Sequence, residues 1–179
     1  MITGGAHSGK SRFAQELAVK LGEPVLFVAT AEAGDEEMKQ RIDKHRKERP
    51  ADWRTLEVTT RIGNGIKQSI GGEQVVIVDC ITLLVNNIFS QYGGDNNERI
   101  IEEKVIAEIN ELIRCIEQVE ATFIIVTNEV GLGLVPVNKT GRLYRDFLGK
   151  ANQMLARHAS EVYFMVAGLP MRVKPARSL

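Results

Sequence analysis

The run Gly4-Gly5-Ala6-His7-Ser8-Gly9-Lys10-Ser11 meets the phosphate-loop spacing G-x-x-x-x-G-K-[ST] and leads into Phe13, Leu17 and Leu21 at helical steps. Glycines let successive backbone N–H groups curl around an anion without Cβ clashes, and the helix that follows adds its positive N-terminal pole. In such a loop Lys10 bridges the β- and γ-phosphates of a nucleoside triphosphate, and the Ser11 hydroxyl is a ligand for Mg²⁺. A glycine-rich strand-to-helix turn with no ligand is the bland alternative; the complete spacing and the helical continuation weigh against it. Only Met1, Ile2 and Thr3 precede the loop, so the strand feeding it is expected to be very short, through a truncated start or as a stunted edge of the sheet.

Phosphate-loop chemistry needs an acid at the end of a neighbouring apolar strand, and Val75-Val76-Ile77-Val78-Asp79 supplies one. Asp79 is expected to hold Mg²⁺ directly or through water; alternatively it caps a helix beginning near Ile81. Another apolar strand closes with Thr127-Asn128-Glu129-Val130-Gly131, at the strand end where α/β folds gather ligand groups. Three readings stay open there: Asn128 or Glu129 senses the γ-phosphate, one of them orients an acceptor hydroxyl, or the segment is a plain turn. Asn138-Lys139-Thr140-Gly141 resembles a guanine-reading Asn-Lys-x-Asp but lacks the aspartate that would pair with the base, so it is discounted.

The segment 34–49 is dense in charge. Asp35/Lys39, Glu37/Arg41 and Asp43/Lys47 pair acid before base at i,i+4, the favourable order on a solvated helix. Met38, Ile42 and His45 form a thin stripe along it, where a histidine ordinarily covers the edge of an apolar contact. Here Arg41, Lys44, Arg46, Lys47 and Arg49 surround His45. Nearby cations disfavour imidazolium, so the ring stays neutral and nucleophilic near pH 7 while the cations suit a triphosphate.

These groups require a frame. Strand-like apolar runs at Val25 to Ala29, Val75 to Asp79, Phe123 to Thr127 and Val162 to Val166 alternate with longer helical patterns, the α/β signature. Runs without polar alternation suit a parallel sheet buried on both faces. One helix is expected after Asp95-Asn96, with Ile101, Val105, Ile109, Leu112, Ile116 and Val119 in step; a second carries Leu143, Phe147, Ala151, Met154 and, closing its stripe in a structural role, His158. Arg54 to Val58 and Arg172 to Lys174 are candidate extra strands. Turns fall at Gly22-Glu23-Pro24, Gly71-Gly72 and Gly93-Gly94, none long enough for a linker, so the 179 residues read as one domain.

Lys plus Arg and Asp plus Glu are both 23, so no global field draws the chain to nucleic acid or anionic lipid. Cys80 and Cys115 lack metal-ligand spacing and read as small buried hydrophobes in a reducing cytoplasm. Neither a membrane-length apolar run nor a signal pattern is present, so a cytoplasmic protein is expected.

Taken together the motifs resemble the bifunctional adenosylcobinamide kinase and adenosylcobinamide-phosphate guanylyltransferase family of cobalamin biosynthesis. The resemblance rests on Thr3 through Ser11, Ala29-Thr30-Ala31, Arg41-Ile42, His45-Arg46, Arg49-Pro50, Trp53-Arg54-Thr55 and Asp79-Cys80-Ile81-Thr82. It continues in Thr127 through Gly131, Val135-Pro136, Arg145-Asp146, Gly149, Asn152-Gln153 and Ala167-Gly168-Leu169-Pro170. It implies a RecA-like P-loop NTPase fold, a mostly parallel central sheet flanked by helices. It also implies two reactions: ATP or GTP phosphorylates the aminopropanol hydroxyl of adenosylcobinamide, and GTP then donates GMP through a guanylyl-histidine. Carried over, the nucleophile is His45. Nucleotide contacts fall on Gly4 through Ser11, on Thr30, Ala31 and Glu32, and on Arg46, Lys47, Glu48 and Arg49, with acidic contacts on Glu57 and Asp79. A homotrimer is implied as well, and His7 stands where family members carry Arg. The rival readings are a P-loop kinase for another small hydroxyl substrate without guanylyl transfer, and a non-catalytic nucleotide switch.

Overall fold

A computed structural model describes residues 1–32, 36–47, 49–92 and 98–175; of residues 37, 38, 41 and 43–45 it describes the backbone only. The Gly93-Gly94 turn, the Asp95-Asn96 helix start, Glu48 and the three expected i,i+4 pairs therefore lie outside the described residues or side chains. Along the helix Glu36–Lys47 itself, Lys39 pairs with Glu36, at i,i+3 and 3.9 Å.

Seven strands form one sheet: β1 (Ile2–Gly4), β2 (Val25–Ala29), β3 (Arg54–Glu57), β4 (Val75–Asp79), β5 (Thr122–Val126), β6 (Val162–Val166) and β7 (Leu169–Lys174). Their spatial order is β3-β2-β4-β5-β1-β6-β7; all neighbours are parallel except β7, which returns antiparallel along β6. The expected mostly parallel sheet is thus present, with β3 and β7 at its edges. β1 is as short as its three residues allow, yet it is no edge: it runs between β5 and β6, pairing Ile2 with Val126 and with Tyr163. Such placement is set by non-local pairing, which strand length does not reveal.

Apolar residues at consecutive positions serve two layers at once, because successive side chains point to opposite faces. Val76, Val78 and Ile125 join a core with α3 (Ile62–Ser69), α4 (Ile81–Tyr92), α5 (Glu98–Gln118) and α6 (Lys139–His158). Val75, Ile77, Ile124 and Val126 face the other way, with Phe27 and Ala29, against α1 (Lys10–Leu21). On α1 the buried positions include Ala14 and Ala18, small side chains that let the helix lie close to the sheet. Gly22 ends α1 at φ 70° with its N–H on the Val19 carbonyl, the left-handed C-cap that glycine adopts without strain.

α3 was not evident from the sequence. Its first residue follows Arg61 at φ 54°, without a side-chain cap of its own. Instead α5 caps it: Ile62 N–H donates to Glu108 Oε1 at 2.8 Å and Asn64 N–H to Glu111 Oε1 at 3.0 Å. Other expectations shift. His158 is exposed, 3.6 Å from Glu117, because the last turn of α6 runs past the core. Cys115 is buried, whereas Cys80 is only partly so, since it follows β4 out of the sheet. No helix among the described residues is long and apolar enough to cross a membrane.

Candidate active site

The carboxyl ends of β1, β2, β4 and β5 open into a cleft of about 840 Å³. At one end lies the phosphate loop. β1 ends at Gly4 with φ 149°, where a Cβ would come within 2.6 Å of the Met165 carbonyl oxygen, so the loop leaves the sheet closer to β6 than a side chain would permit. His7 and Gly9 have φ of 54° and 92°, and Ser8 N–H donates to the Gly5 carbonyl at 3.3 Å. The turn so formed places Gly9 at the start of α1 with no side-chain cap, leaving the first N–H groups of the helix to meet an anion. Lys10 is buried, its Nζ donating to the Gly5 carbonyl at 2.6 Å and lying 3.5 Å from Ser8 Oγ. Ala6 through Ser11 all line the cleft.

The register continues this surface across the sheet. Glu57, Ala29, Asp79 and Val126 form one row on β3, β2, β4 and β5. Ala29, Asp79, Val126 and Glu57 line the cleft, and Asn128 lies two positions beyond Val126 on the same wall. Cys80, Thr82 and Leu83, which carry the chain into α4, complete this side. Burial, reinforced by the Asp79 charge, pushes the Cys80 thiol up to about 11, which keeps it protonated and inert at neutral pH.

The other end belongs to α2 (Glu36–Lys47) and β3. Lys39, Ile42, Arg46 and Arg49 line it. Arg46 is ion-paired with Glu57. The Arg49 guanidinium stacks 3.6 Å above the Phe27 ring and reaches Thr55 Oγ1 at 3.5 Å. Its Nε is buried with no hydrogen-bond partner among the described residues. Burial lowers the pKa of Arg49 from its ordinary value, with Asp79 pulling it back up and Arg46 pushing it further down. A buried donor of this kind gains from an anion brought into the cleft.

The expected contacts thus divide. Residues 6–11, Ala31, Arg46, Arg49, Glu57 and Asp79 share the cleft. Gly4 and Gly5 shape the loop behind it. Glu32 and Lys47 are exposed and are not among the residues lining the cleft. Thr30 is fully buried; its hydroxyl donates to the Cys80 carbonyl at 2.7 Å and accepts the Cys80 N–H at 2.8 Å. Thr30 therefore ties β2 to the turn after Asp79, with its side chain inside the protein. His45 lies within α2, one residue before Arg46, and its side chain is outside the description. Asn138 caps α6, accepting the Gly141 N–H at 2.6 Å.

Arg12, Gln15, Lys39, Thr82 and Leu83, none of them an expected nucleotide contact, also line the cleft. A signal existed for Gln15, four residues after Ser11 and so on the same face of α1. Thr82 and Leu83 follow directly from the strand end at Asp79. Lys39 carried no signal beyond a charged helix.

A fit for Mg²⁺ can be judged from the donors. The described residues contain no cluster of three His, Cys, Asp or Glu able to hold a metal, so an all-protein cage is absent among them. Ser11 and Asp79 bring a hydroxyl and a carboxylate to the phosphate-loop end of the cleft, whose lining also holds Ser8, Thr82 and Glu57. That set suits Mg²⁺, which keeps waters and phosphate oxygens in its shell and takes one or two protein ligands.

A G-x-x-x-x-G-K-S loop on a mostly parallel seven-stranded sheet, with an acid at the end of a nearby strand, is an α/β fold consistent with a P-loop NTPase. The sequence profile of the "Cobinamide kinase / cobinamide phosphate guanyltransferase" family matches residues 1–173. The chain is 39% identical over 179 residues to a "Bifunctional adenosylcobalamin biosynthesis protein CobU" of Escherichia coli, covering 97% of this chain and 98% of that one. It is 37% identical to the Salmonella typhimurium protein of the same name over the same shares. A Pseudomonas aeruginosa "Bifunctional adenosylcobalamin biosynthesis protein CobP" is 40% identical over 174 residues, 97% of this chain and 96% of that one. The chain belongs to the cobinamide kinase / cobinamide phosphate guanyltransferase family.

Proposed function

We propose that the protein catalyses both transfers its family name describes: phosphorylation of the aminopropanol hydroxyl of adenosylcobinamide by ATP or GTP, then guanylylation of the phosphate by GTP. The observation that carries this reading is the single cleft joining a phosphate loop to the Arg46, Arg49 and Glu57 cluster. One end suits a transferring γ-phosphoryl group; the other suits the phosphates of a guanylyl donor.

In the first reaction the loop N–H groups and Lys10 hold the terminal phosphates. The acceptor oxygen forms its bond to γ-phosphorus as the bond to the β,γ-bridging oxygen breaks, and the hydroxyl proton is released. Charge developing on the transferring oxygens meets Lys10, a fixed cation that needs no reorganisation. Ser11 and Asp79 are the residues that would hold Mg²⁺, which when bound neutralises phosphate charge. In the second reaction an imidazole nitrogen of His45 attacks the α-phosphorus of GTP and pyrophosphate departs. The corrinoid phosphate then displaces the histidine, giving adenosylcobinamide-GDP. Arg46 and Arg49 stabilise the departing pyrophosphate, and Arg side chains suit this because they stay charged at neutral pH.

Assembly as a cytoplasmic homotrimer belongs to the same reading. Leu132, Leu134, Val135 and Val137 are 80%, 97%, 62% and 98% exposed, apolar surface that self-association would cover; sedimentation velocity at micromolar protein checks the mass. The chemical test uses α- and γ-labelled GTP, with and without cobinamide. Expected are γ-label on the corrinoid and α-label on protein before corrinoid is added. GTP hydrolysis with neither product would reduce the protein to a nucleotide switch.

A further inference from the structure

We infer that the Asn128 carboxamide is the hydrogen-bonding partner of the acceptor hydroxyl in phosphoryl transfer; this rests on the kinase reading above. Four observations lead to it.

The first is position. β5 is the strand between β1, which feeds the phosphate loop, and β4, which ends in Asp79. Beyond Val126 the chain keeps following β1: Thr127 N–H donates to the Ile2 carbonyl at 3.0 Å and Glu129 N–H to the Gly4 carbonyl at 2.9 Å. Asn128 is thereby carried to the mouth of the phosphate loop, on the Asp79 side. The second is facing. Ile124 and Val126 belong to the core beneath α1, Ile125 to the opposite core. Alternation puts Thr127 on the α6 side, where its hydroxyl donates to Asn152 Oδ1 at 2.7 Å, and returns Asn128 to the wall it shares with Lys10 and Asp79.

The third is restraint. The Asn128 N–H donates to Thr82 Oγ1 at 2.7 Å, and its carbonyl accepts from Asn152 Nδ2 at 3.0 Å. Tyr144 in turn donates to the Thr82 carbonyl at 2.9 Å. Groups from α4 and α6 thus fix both sides of one residue's backbone, which is how a first contact is held to the tolerance that transfer demands. The fourth is availability. Among the described residues the Asn128 carboxamide makes no hydrogen bond of its own. The Glu129 carboxylate, by contrast, accepts from Gly131 N–H and closes its own turn.

A carboxamide suits a hydroxyl acceptor because it carries both an acceptor and donors and holds no charge against an incoming γ-phosphate. Asn128 Oδ1 accepts the hydroxyl hydrogen bond and leaves an oxygen lone pair directed at phosphorus. As the oxygen–phosphorus bond forms, the bond from γ-phosphorus to the β,γ-bridging oxygen breaks, its electron pair leaves with the nucleoside diphosphate, and the hydroxyl proton passes to solvent water.

The test is steady-state phosphorylation of cobinamide by γ-labelled nucleotide in Asn128→Ala, with nucleotide affinity read separately from a fluorescent triphosphate and diphosphate. A rise of at least tenfold in cobinamide KM or an equal fall in kcat is expected, with the preference for triphosphate over diphosphate within twofold of wild type. Asn128→Ser, polar but too short to reach, should behave alike and stands in if the alanine variant does not fold. Asn152→Ala, which loosens the backbone restraint, should lower kcat by a smaller factor. Unchanged cobinamide parameters in a folded variant overturn the assignment. Loss of triphosphate preference with cobinamide KM intact also overturns it and makes Asn128 a γ-phosphate contact. Failure of the wild-type protein to phosphorylate cobinamide overturns the kinase reading itself, a result visible before any variant is made.

Discussion

At one end of the cleft the phosphate loop leaves an interior strand and is shaped by backbone: Gly4 pressed on Met165, Gly9 at the head of α1, and the Gly168 N–H donating to the Ser8 carbonyl at 3.1 Å. At the other end Arg46, Arg49 and Glu57 stand on α2, on the segment after it and on edge strand β3, held through side chains: Arg46 pairs with Glu57, and Arg49 stacks on Phe27. A backbone cradle fixes where an anion sits and cannot be retuned without moving the sheet. A set of long charged side chains can close on a donor, then release it, because each ion pair near the surface contributes at most about 1 kcal/mol. The two proposed transfers have use for both: a rigid seat for phosphoryl transfer, and an adjustable one where the proposed guanylyl intermediate would form and be handed on.

The sharpest way to break this comparison is to ask whether each end carries its own reaction. His45→Ala should form no guanylyl adduct with GTP, read as loss of acid-labile, alkali-stable α-label on protein, while phosphorylation of cobinamide persists. Adduct surviving in that variant, or appearing on His7 or His158, would remove the division of labour. Lys10→Ala should do the reverse at the rigid end. Losing a fixed cation beside the transferring group costs about 3 kcal/mol in the transition state, a fall of roughly a hundredfold in kinase turnover. Wild-type phosphorylation rates in a folded Lys10→Ala protein would sink the role given to the loop.

Asp79→Asn probes the wall between the ends. It keeps size and hydrogen bonding but removes the anion. Activity should fall and recover partly at higher Mg²⁺, with the melting temperature of the nucleotide-free protein near wild type. A collapse of stability with an unchanged metal requirement would make Asp79 a structural cap.

Thr30→Val separates binding from support, and it bears on what the sequence could disclose. The substitution is close to isosteric and strips the hydroxyl from the Cys80 N–H and carbonyl it serves. Leaving those groups unpaired costs about 2 kcal/mol in chemical denaturation. Family resemblance placed Thr30 among the nucleotide contacts; its side chain instead braces the turn after Asp79, a distinction no motif encodes because it depends on which way one strand end faces. The central strands were legible for a simple reason: Val-Val-Ile-Val-Asp and Val-Leu-Phe-Val-Ala have no polar face, so they had to lie between layers. β1 was legible as short but not as interior, since its neighbours are more than a hundred residues away along the chain. α3 escaped notice because Ile62 to Ser69 contains two glycines, and the carboxylates that cap it come from α5. The phosphate loop was readable because it is a local backbone device. Asn128 was readable only as a strand-end polar group, its facing settled by alternation once the cores were known.

The smallest effect tests whether the adjustable end is also the less firmly anchored one. Arg54, at the start of β3, is paired through Nε with Glu73 just before β4. That bond, helped by the Gly71 N–H, holds the Glu73 carboxyl at about 2, below its ordinary 4.5. A carboxyl depressed by folding contributes stability in full above its unfolded pKa and loses it as pH falls toward the folded one. The contribution should therefore be complete at pH 6, decline below about pH 4.5 and be nearly gone close to pH 2. Because the Arg54 side chain is 48% exposed, solvent screening reduces it to about 1 kcal/mol. Glu73→Gln should be less stable than wild type by that amount at pH 6, and the gap should narrow as the pH drops through this window. Hydrogen exchange gives the local readout. On acidification amide protection should fall at Leu56 and Glu57 before it falls in β5, because β3 is bonded on one side only while β5 has strands on both. Equal loss of protection at the two strands would mean that the edge of the cleft and its interior open as one unit, and the contrast between a rigid and an adjustable end would then lie in chemistry alone.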